Sequence, residues 1–155
     1  MGMTIRCATG DDLASIRALF FQLDTHAALS QPQHFQRGER SEEYLLELID
    51  GEDSAFLLAE REGEVVGFSL LFAKETKDIP VLVPCKYAYI QDFVVREDCR
   101  GQGVGARLMD ASKEWAARRG AQYLRLSVLP DNVGAQRFYA RHGLAPEMIT
   151  MECGL

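Results

Sequence analysis

The sequence predicts an α+β domain built on a mixed central sheet, with elements in the order β-α-α-β-β-β-α-β-α-β. Three observations carry that prediction. Apolar, β-prone runs at 54–60, 65–72 and 87–95 follow one another with no helical period between them, as antiparallel neighbours do. The stretch 87–128 reads strand, helix, strand, a βαβ unit whose strands are parallel and whose crossover is right-handed. A chain of 155 residues with 47% apolar content suffices for one core, so residues 1–155 are read as a single domain.

Met3–Ala8 is the first predicted strand. Thr9, with Asp12 three residues on, resembles an N-cap signal. Leu13, Ile16, Phe20 and Leu23 then fall at helical spacing, which predicts an amphipathic helix over 11–23. Residues 25–40 have no clear period and read as loop or a short irregular helix; they hold His26, Pro32 and His34. A second helix spans 41–50 and stops at Gly51. The runs 54–60 and 65–72 form a hairpin across Arg61-Glu62-Gly63-Glu64. Residues 73–84, with Pro80 and Pro84, read as an extended connection.

The strand 87–95 is rich in aromatic and β-branched residues. In the helix 104–119, Val104, Leu108, Ala111 and Trp115 make the buried stripe, Glu114 and Arg118 pair at i,i+4, and Gly120 ends it. A strand over 123–128, a short helix over 133–142 stopped by Gly143, and a last strand over 148–153 complete the order.

Composition excludes several classes. The formal charge is −6 and the only local basic clusters are Arg37/Arg40 and Arg118/Arg119, so no nucleic-acid partner is expected. Cys7, Cys85, Cys99 and Cys153 form no C-x-x-C pair, which leaves no zinc or redox motif and suits a reducing, cytoplasmic compartment. No apolar run approaches a membrane span, and the N-terminus has no signal-peptide pattern, so no membrane partner is expected. Met1-Gly2 does not start a myristoylation motif, because Arg6 stands where Ser or Thr is wanted.

The most informative segment runs from the strand end at Val94-Val95 through Arg100-Gly101-Gln102-Gly103-Val104-Gly105 into a helix. Glycines there let the backbone approach a ligand, and the unpaired N–H groups and dipole of a helix start favour an anion. Arg100 adds a charge beside them. A P-loop would need Lys-Ser/Thr after its last glycine, where Ala106-Arg107 stands. A dinucleotide fingerprint is formally met by Gly101, Gly103 and Ala106. However, five residues separate the strand from Gly101, and no acidic residue ends the next strand, where Arg125, Ser127 and Leu129 lie.

Arg100-x-x-Gly103-x-Gly105 after an apolar strand resembles the acetyl-CoA signature of the GNAT superfamily of N-acetyltransferases. Asn132-x-x-Ala135-x-x-Phe138-Tyr139-x-x-x-Gly143-Leu144 is similar to that superfamily's later motif, and follows the next strand at the matching distance. The resemblance covers the full chain. It implies a GNAT-like sheet with a splayed parallel strand pair, acetyl-CoA as co-substrate, no metal, and transfer of an acetyl group to a primary amine on a small molecule or protein. A homodimer is common in the family.

The resemblance also implies residue roles. Backbone groups of Phe93, Val94 and Val95 would bind the pantetheine arm, with an oxyanion donor near Phe93. Arg100, Gly101, Gln102, Gly103, Val104 and Gly105 would hold the pyrophosphate. Asn132 and Ala135 would support the arm, although Asn132 is also an obvious N-cap. Tyr139 would protonate the leaving thiolate, set against an ordinary core aromatic. Ala88–Val95 looks like the strand of diamine-type members, which carry Glu-Asp where Gln91-Asp92 stands here. Glutamine is no general base, so Asp92 is the nearest remaining carboxylate. Because successive strand residues face opposite sides, Gln91 and Asp92 cannot both face the acceptor, and if Gln91 does, Asp92 is merely structural. Loss of the carboxylate at Gln91 also keeps open a catalytically weak acyl-CoA-binding regulatory module; a nucleotide-binding module is a further alternative.

Overall fold

The computed structural model describes residues 2–155. Its elements are β1 (Met3–Cys7), α1 (Leu13–Ser30), α2 (Glu42–Asp50), β2 (Ser54–Arg61), β3 (Glu64–Glu75), β4 (Lys86–Val95), α3 (Val104–Arg118), β5 (Leu124–Leu126) and α4 (Val133–Arg141). Single 3-10 turns over Gly10–Asp12 and Glu97–Cys99 lead into α1 and towards α3. One sheet runs β1-β2-β3-β4-β5. The first three pairings are antiparallel and β4–β5 is parallel, as expected for the two strands of the βαβ unit.

Local chemistry sets the entry to α1. Thr9 and Asp12 form a capping box, and Asp12, though buried, also takes both Nη groups of Arg6 at 2.8–2.9 Å. The Arg6 hydrogen bonds hold the Asp12 carboxyl below its usual range. On one face of the sheet, Ile16, Leu19 and Phe20 of α1 and Leu45 and Leu48 of α2 pack on Phe56, Leu58, Phe68 and Leu70. Phe20, Phe56 and Phe68 meet edge to face, with centroids 4.9–6.2 Å apart. On the other face, Val104, Leu108 and Met109 of α3 pack on Leu57, Ala59, Leu71 and Ile90. Truncating fully buried Leu108 to alanine there would cost about 2–5 kcal/mol. Between sheet and α3 the buried hydroxyls of Ser69 and Ser112 meet at 2.8 Å; Ser112 donates to the Leu108 carbonyl at 2.7 Å and accepts from Ser69.

Three expectations are corrected. The first helix continues to Ser30, taking in part of the segment read as loop. His26-Ala27-Ala28-Leu29 supports a helix, but the apolar period lapses because this end runs beyond the core; Leu29 is exposed. The strand read over 123–128 pairs only at Leu124–Leu126, because β4 and β5 diverge beyond it. No strand forms over 148–153. That segment follows Pro146, and the short β5 ladder offers little edge for it to extend.

Candidate active site

A bulge in β4 decides which residues meet at the divergence. Leu70 lies opposite Asp92 and Leu71 opposite Ile90, so Gln91 is the extra, unpaired residue. Below the bulge, Ile90 packs on the α3 side; above it, Phe93 and Val95 do. Asp92 is paired with Leu70 and precedes Val94, and both of those lie in the α1–α2 core. Asp92 is therefore on the α1 face, the same face as Tyr89. A regular strand would have put Gln91 there.

Asp92 is half-buried among charges. Burial pushes its carboxyl up to about 6, Arg40 works against that, and Asp24 adds to it. Arg40 comes from the loop after α1. It grips Asp24 with both Nη groups and lies with Cζ 3.9 Å from the centre of the Phe20 ring. A single turn of α1 thus serves the site, since Gln22 stands two residues before Asp24. Its amide donates to the Val95 carbonyl and accepts from the Glu97 N–H, each at 3.0 Å. That bridge ties α1 to the start of the glycine loop.

The glycine loop could hold an anion such as a pyrophosphate. Gly101 and Gly103 adopt φ of 74° and 84°, in the left-handed region, and a Cβ on either would meet nothing within 4 Å. The backbone lies open on that side. Among the described residues no protein acceptor is assigned to the N–H groups that open α3, and Arg100 is exposed with no carboxylate partner. The Gln102 side chain is committed elsewhere, to Arg61 and the Asp98 carbonyl. Gly105 has a packing reason to be glycine: a Cβ there would lie 3.1 Å from two ring carbons of Phe138.

Phe138 and Tyr139 reach back from α4 to β4, with ring centroids 5.8 and 6.1 Å from Phe93. Asn132 caps α4 by accepting from the Ala135 N–H at 3.2 Å. Burial pushes the Tyr139 hydroxyl up to about 12, so it stays protonated through neutral pH. Tyr139 and Asp92 thus stand on opposite faces of β4, just above the bulge and the point where β5 separates.

The family model described as "Acetyltransferase (GNAT) family" matches residues 21–144. The chain belongs to the GNAT acetyltransferase family. It is 31% identical over 146 residues to the uncharacterized N-acetyltransferase YhfO of Bacillus subtilis, covering 91% of this chain and 89% of that one. An uncharacterized N-acetyltransferase of Archaeoglobus fulgidus is 30% identical over 142 residues, covering 92% of each. Among solved structures, a single-site mutant of the BH1408 protein from Bacillus halodurans superposes with a TM-score of 0.94 at 24% identity, over 98% of this chain and 99% of that chain. An aminoglycoside N-acetyltransferase, AAC(6')-Iy in complex with CoA, shares the fold at a TM-score of 0.73 and 18% identity, over 98% and 99%.

Among the described residues of this GNAT protein no group of three His, Cys, Asp or Glu is placed to hold a metal ion, and no helix is long and apolar enough to cross a membrane. His26 is exposed, and His34 pairs with Glu152 at 2.6 Å, away from the glycine loop in sequence and in partners. Sequence reading missed Gln22, Asp24 and Arg40. The only trace of them was an Arg in a loop without period, which carries no signal until the helix before it is folded.

Proposed function

We propose that this GNAT protein transfers the acetyl group of acetyl-CoA to a primary amine by direct attack. The observation that carries the reading is the placement of Asp92 and Tyr139 on opposite faces of β4, beyond an open glycine cradle at the start of α3. The pyrophosphate would sit on the N–H groups of residues 101–105 with Arg100 beside it. The arm would run along the backbone of Phe93, Val94 and Val95, which β5 leaves unpaired.

An alkyl amine with a pKa near 10 is mostly protonated at pH 7, so the nucleophile must lose a proton. Asp92, the carboxylate on the α1 face, is the proposed acceptor of that proton, directly or through water. The amine nitrogen then bonds to the acetyl carbonyl carbon and gives up its second excess proton to water while the carbon–sulfur bond breaks. The negative charge passes through the carbonyl oxygen, where a β4 N–H near Phe93 would stabilise it, to the sulfur. Tyr139, on the other face, donates a proton to the leaving thiolate and recovers it from solvent. The raised pKa of Tyr139 keeps that proton in place before the step.

Acetyl-CoA-dependent thiol release, measured against a panel of amines, tests the reading. Release that requires an amine and yields the N-acetyl product supports it. Tight acetyl-CoA binding with no release on any amine would favour the regulatory-module alternative.

A further inference from the structure

The face that carries Asp92 continues below the bulge as a floor with its own charge pattern. Register places Tyr87 and Tyr89 of β4, Lys74 of β3 and Arg125 of β5 on it. Tyr89 and Ser127 share a hydroxyl hydrogen bond at 2.9 Å. Tyr87 and Tyr123 stack at 5.1 Å, with Cζ of Arg125 5.3 and 4.9 Å from their ring centres. Lys74 Nζ lies 5.3 Å from the Tyr89 ring.

The two ends of this floor differ in sign. The end at the bulge holds Asp92 and Asp24 against Arg40. The far end holds Lys74 and Arg125, the latter paired with Glu147. An arginine offers five N–H donors, yet among the described residues the carboxylate paired with Arg125 is Glu147 alone, at 2.8 Å. Its Nε is buried with no partner, an unmet donor that a half-exposed ion pair does not offset. The guanidinium lies beside both rings of the tyrosine stack, and Glu147 is its one side-chain partner among the described residues.

We infer that Arg125 binds a carboxylate on the acceptor, and that the acceptor is an amino-carboxylate with its amine at Asp92. This rests on the acetyl-transfer reading above. Arg125 lies opposite Tyr89, three residues before Asp92 along β4. At about 3.3 Å per residue the two backbone positions are roughly 8–10 Å apart along the sheet, and the guanidinium lies beyond that, beside Tyr87 and Tyr123. The amine and carboxylate are therefore separated by several bonds, as in an ω-amino acid or the side-chain amine of lysine. An α-amine and its own carboxylate are too close to span the floor.

The experiment is calorimetric titration of the CoA-loaded protein with 6-aminohexanoate and with hexylamine, which has the same chain without the carboxylate. The wild type is expected to bind 6-aminohexanoate at least about tenfold tighter, the scale of one charged hydrogen-bonded contact. Arg125→Gln should abolish that preference. Glu147→Gln removes the competing carboxylate and should increase it. If Arg125 merely ties the C-terminal segment to the sheet through Glu147, the two variants would instead weaken binding alike, which overturns the inference. Equal binding of the two ligands by the wild type, or no binding of 6-aminohexanoate, also overturns it, and neither result depends on a variant folding. Acetyl transfer to 6-aminohexanoate is followed in parallel. Arg125-dependent binding without transfer would sink the acetyl-transfer reading and leave this one standing.

Discussion

The two faces of β4 at the divergence are built in opposite ways. On the α3–α4 side, Phe93, Val95, Phe138 and Tyr139 pack as one apolar group beside a loop whose donors are main-chain N–H. On the α1 side, Asp92, Asp24, Arg40, Tyr89 and Arg125 come from three separate elements and the loop before α2. The first face carries a fixed chemistry on backbone groups that tolerate many side chains. The second carries charges whose balance depends on each partner. A donor site shared by a family and an acceptor site particular to one chain would divide in this way.

The largest expected effect breaks the apolar side at its one hydroxyl. Tyr139→Phe keeps the contacts with Phe93 and Phe138 and removes the donor. The expected loss in kcat is about ten- to ten-thousand-fold, with CoA affinity unchanged. Single-turnover kinetics beside calorimetry separates the two. Normal turnover would reduce Tyr139 to a packing residue.

Next is the cradle. Gly103 has φ 84°, so any side chain there is strained. Asparagine tolerates that region better than most residues and matches aspartate in shape. Gly103→Asp should weaken CoA binding by roughly 100-fold, on the scale of losing one or two charged contacts. Gly103→Asn should lose about tenfold less. Equal losses would mean that strain, not anion repulsion, limits the site, and unchanged affinity in both would remove the pyrophosphate from this loop.

What the sequence disclosed follows the same division. The glycine loop, the cap at Asn132 and the aromatic pair at 138–139 are contiguous patterns whose spacing encodes their geometry, so they were legible. Gly105 was legible as a loop glycine but not as the seat of Phe138, far along the chain on another helix. The α1 face was not legible. Whether Gln91 or Asp92 faces it depends on a bulge, one extra residue in a ladder, which no periodicity reveals. Arg40 meets Asp24 only because α1 runs on to Ser30, past the point where its apolar period ends. The strand read over 148–153 failed for a related reason: strand-like composition needs an edge to pair with, and β5 offers three residues.

On the charged side, Asp92→Asn should separate activity from stability. With the carboxyl pushed up to about 6, the base form is present above that pH and lost below it. Wild-type kcat/KM should rise with pH through about 6, and Asp92→Asn should lower it about tenfold or more at pH 7, with partial recovery at high pH where the amine is already neutral. The stability effect has the opposite sign. A folded-state pKa raised from 3.8 means that the group's contribution is intact below about 4 and is lost as pH rises through 6. At pH 8 the wild type therefore carries a penalty on the order of 2–3 kcal/mol, which the neutral variant lacks. Thermal melts should show Asp92→Asn more stable at pH 8 and equal near pH 4. A variant less stable at pH 8 would mean that the carboxylate is paired more closely than the site suggests.

The smallest effect tests the partners of Asp92 individually. Arg40 draws the carboxyl down and Asp24 pushes it up, and the two are bound to each other. Arg40→Gln removes the cation and leaves Asp24 uncompensated, so both changes move the acid limb of the kcat/KM profile to higher pH. Asp24→Asn removes the repelling charge while Arg40 stays, so the limb moves to lower pH. Each shift should be less than about one pH unit, because the groups are partly solvated and the field is screened. Opposite signs would identify the limb as Asp92 and place Asp24 and Arg40 as positioning residues acting through it. Shifts of the same sign, or a limb that does not move while kcat/KM falls at every pH, would mean that Arg40 orders the loop before α2 and has no part in setting the charge of the base.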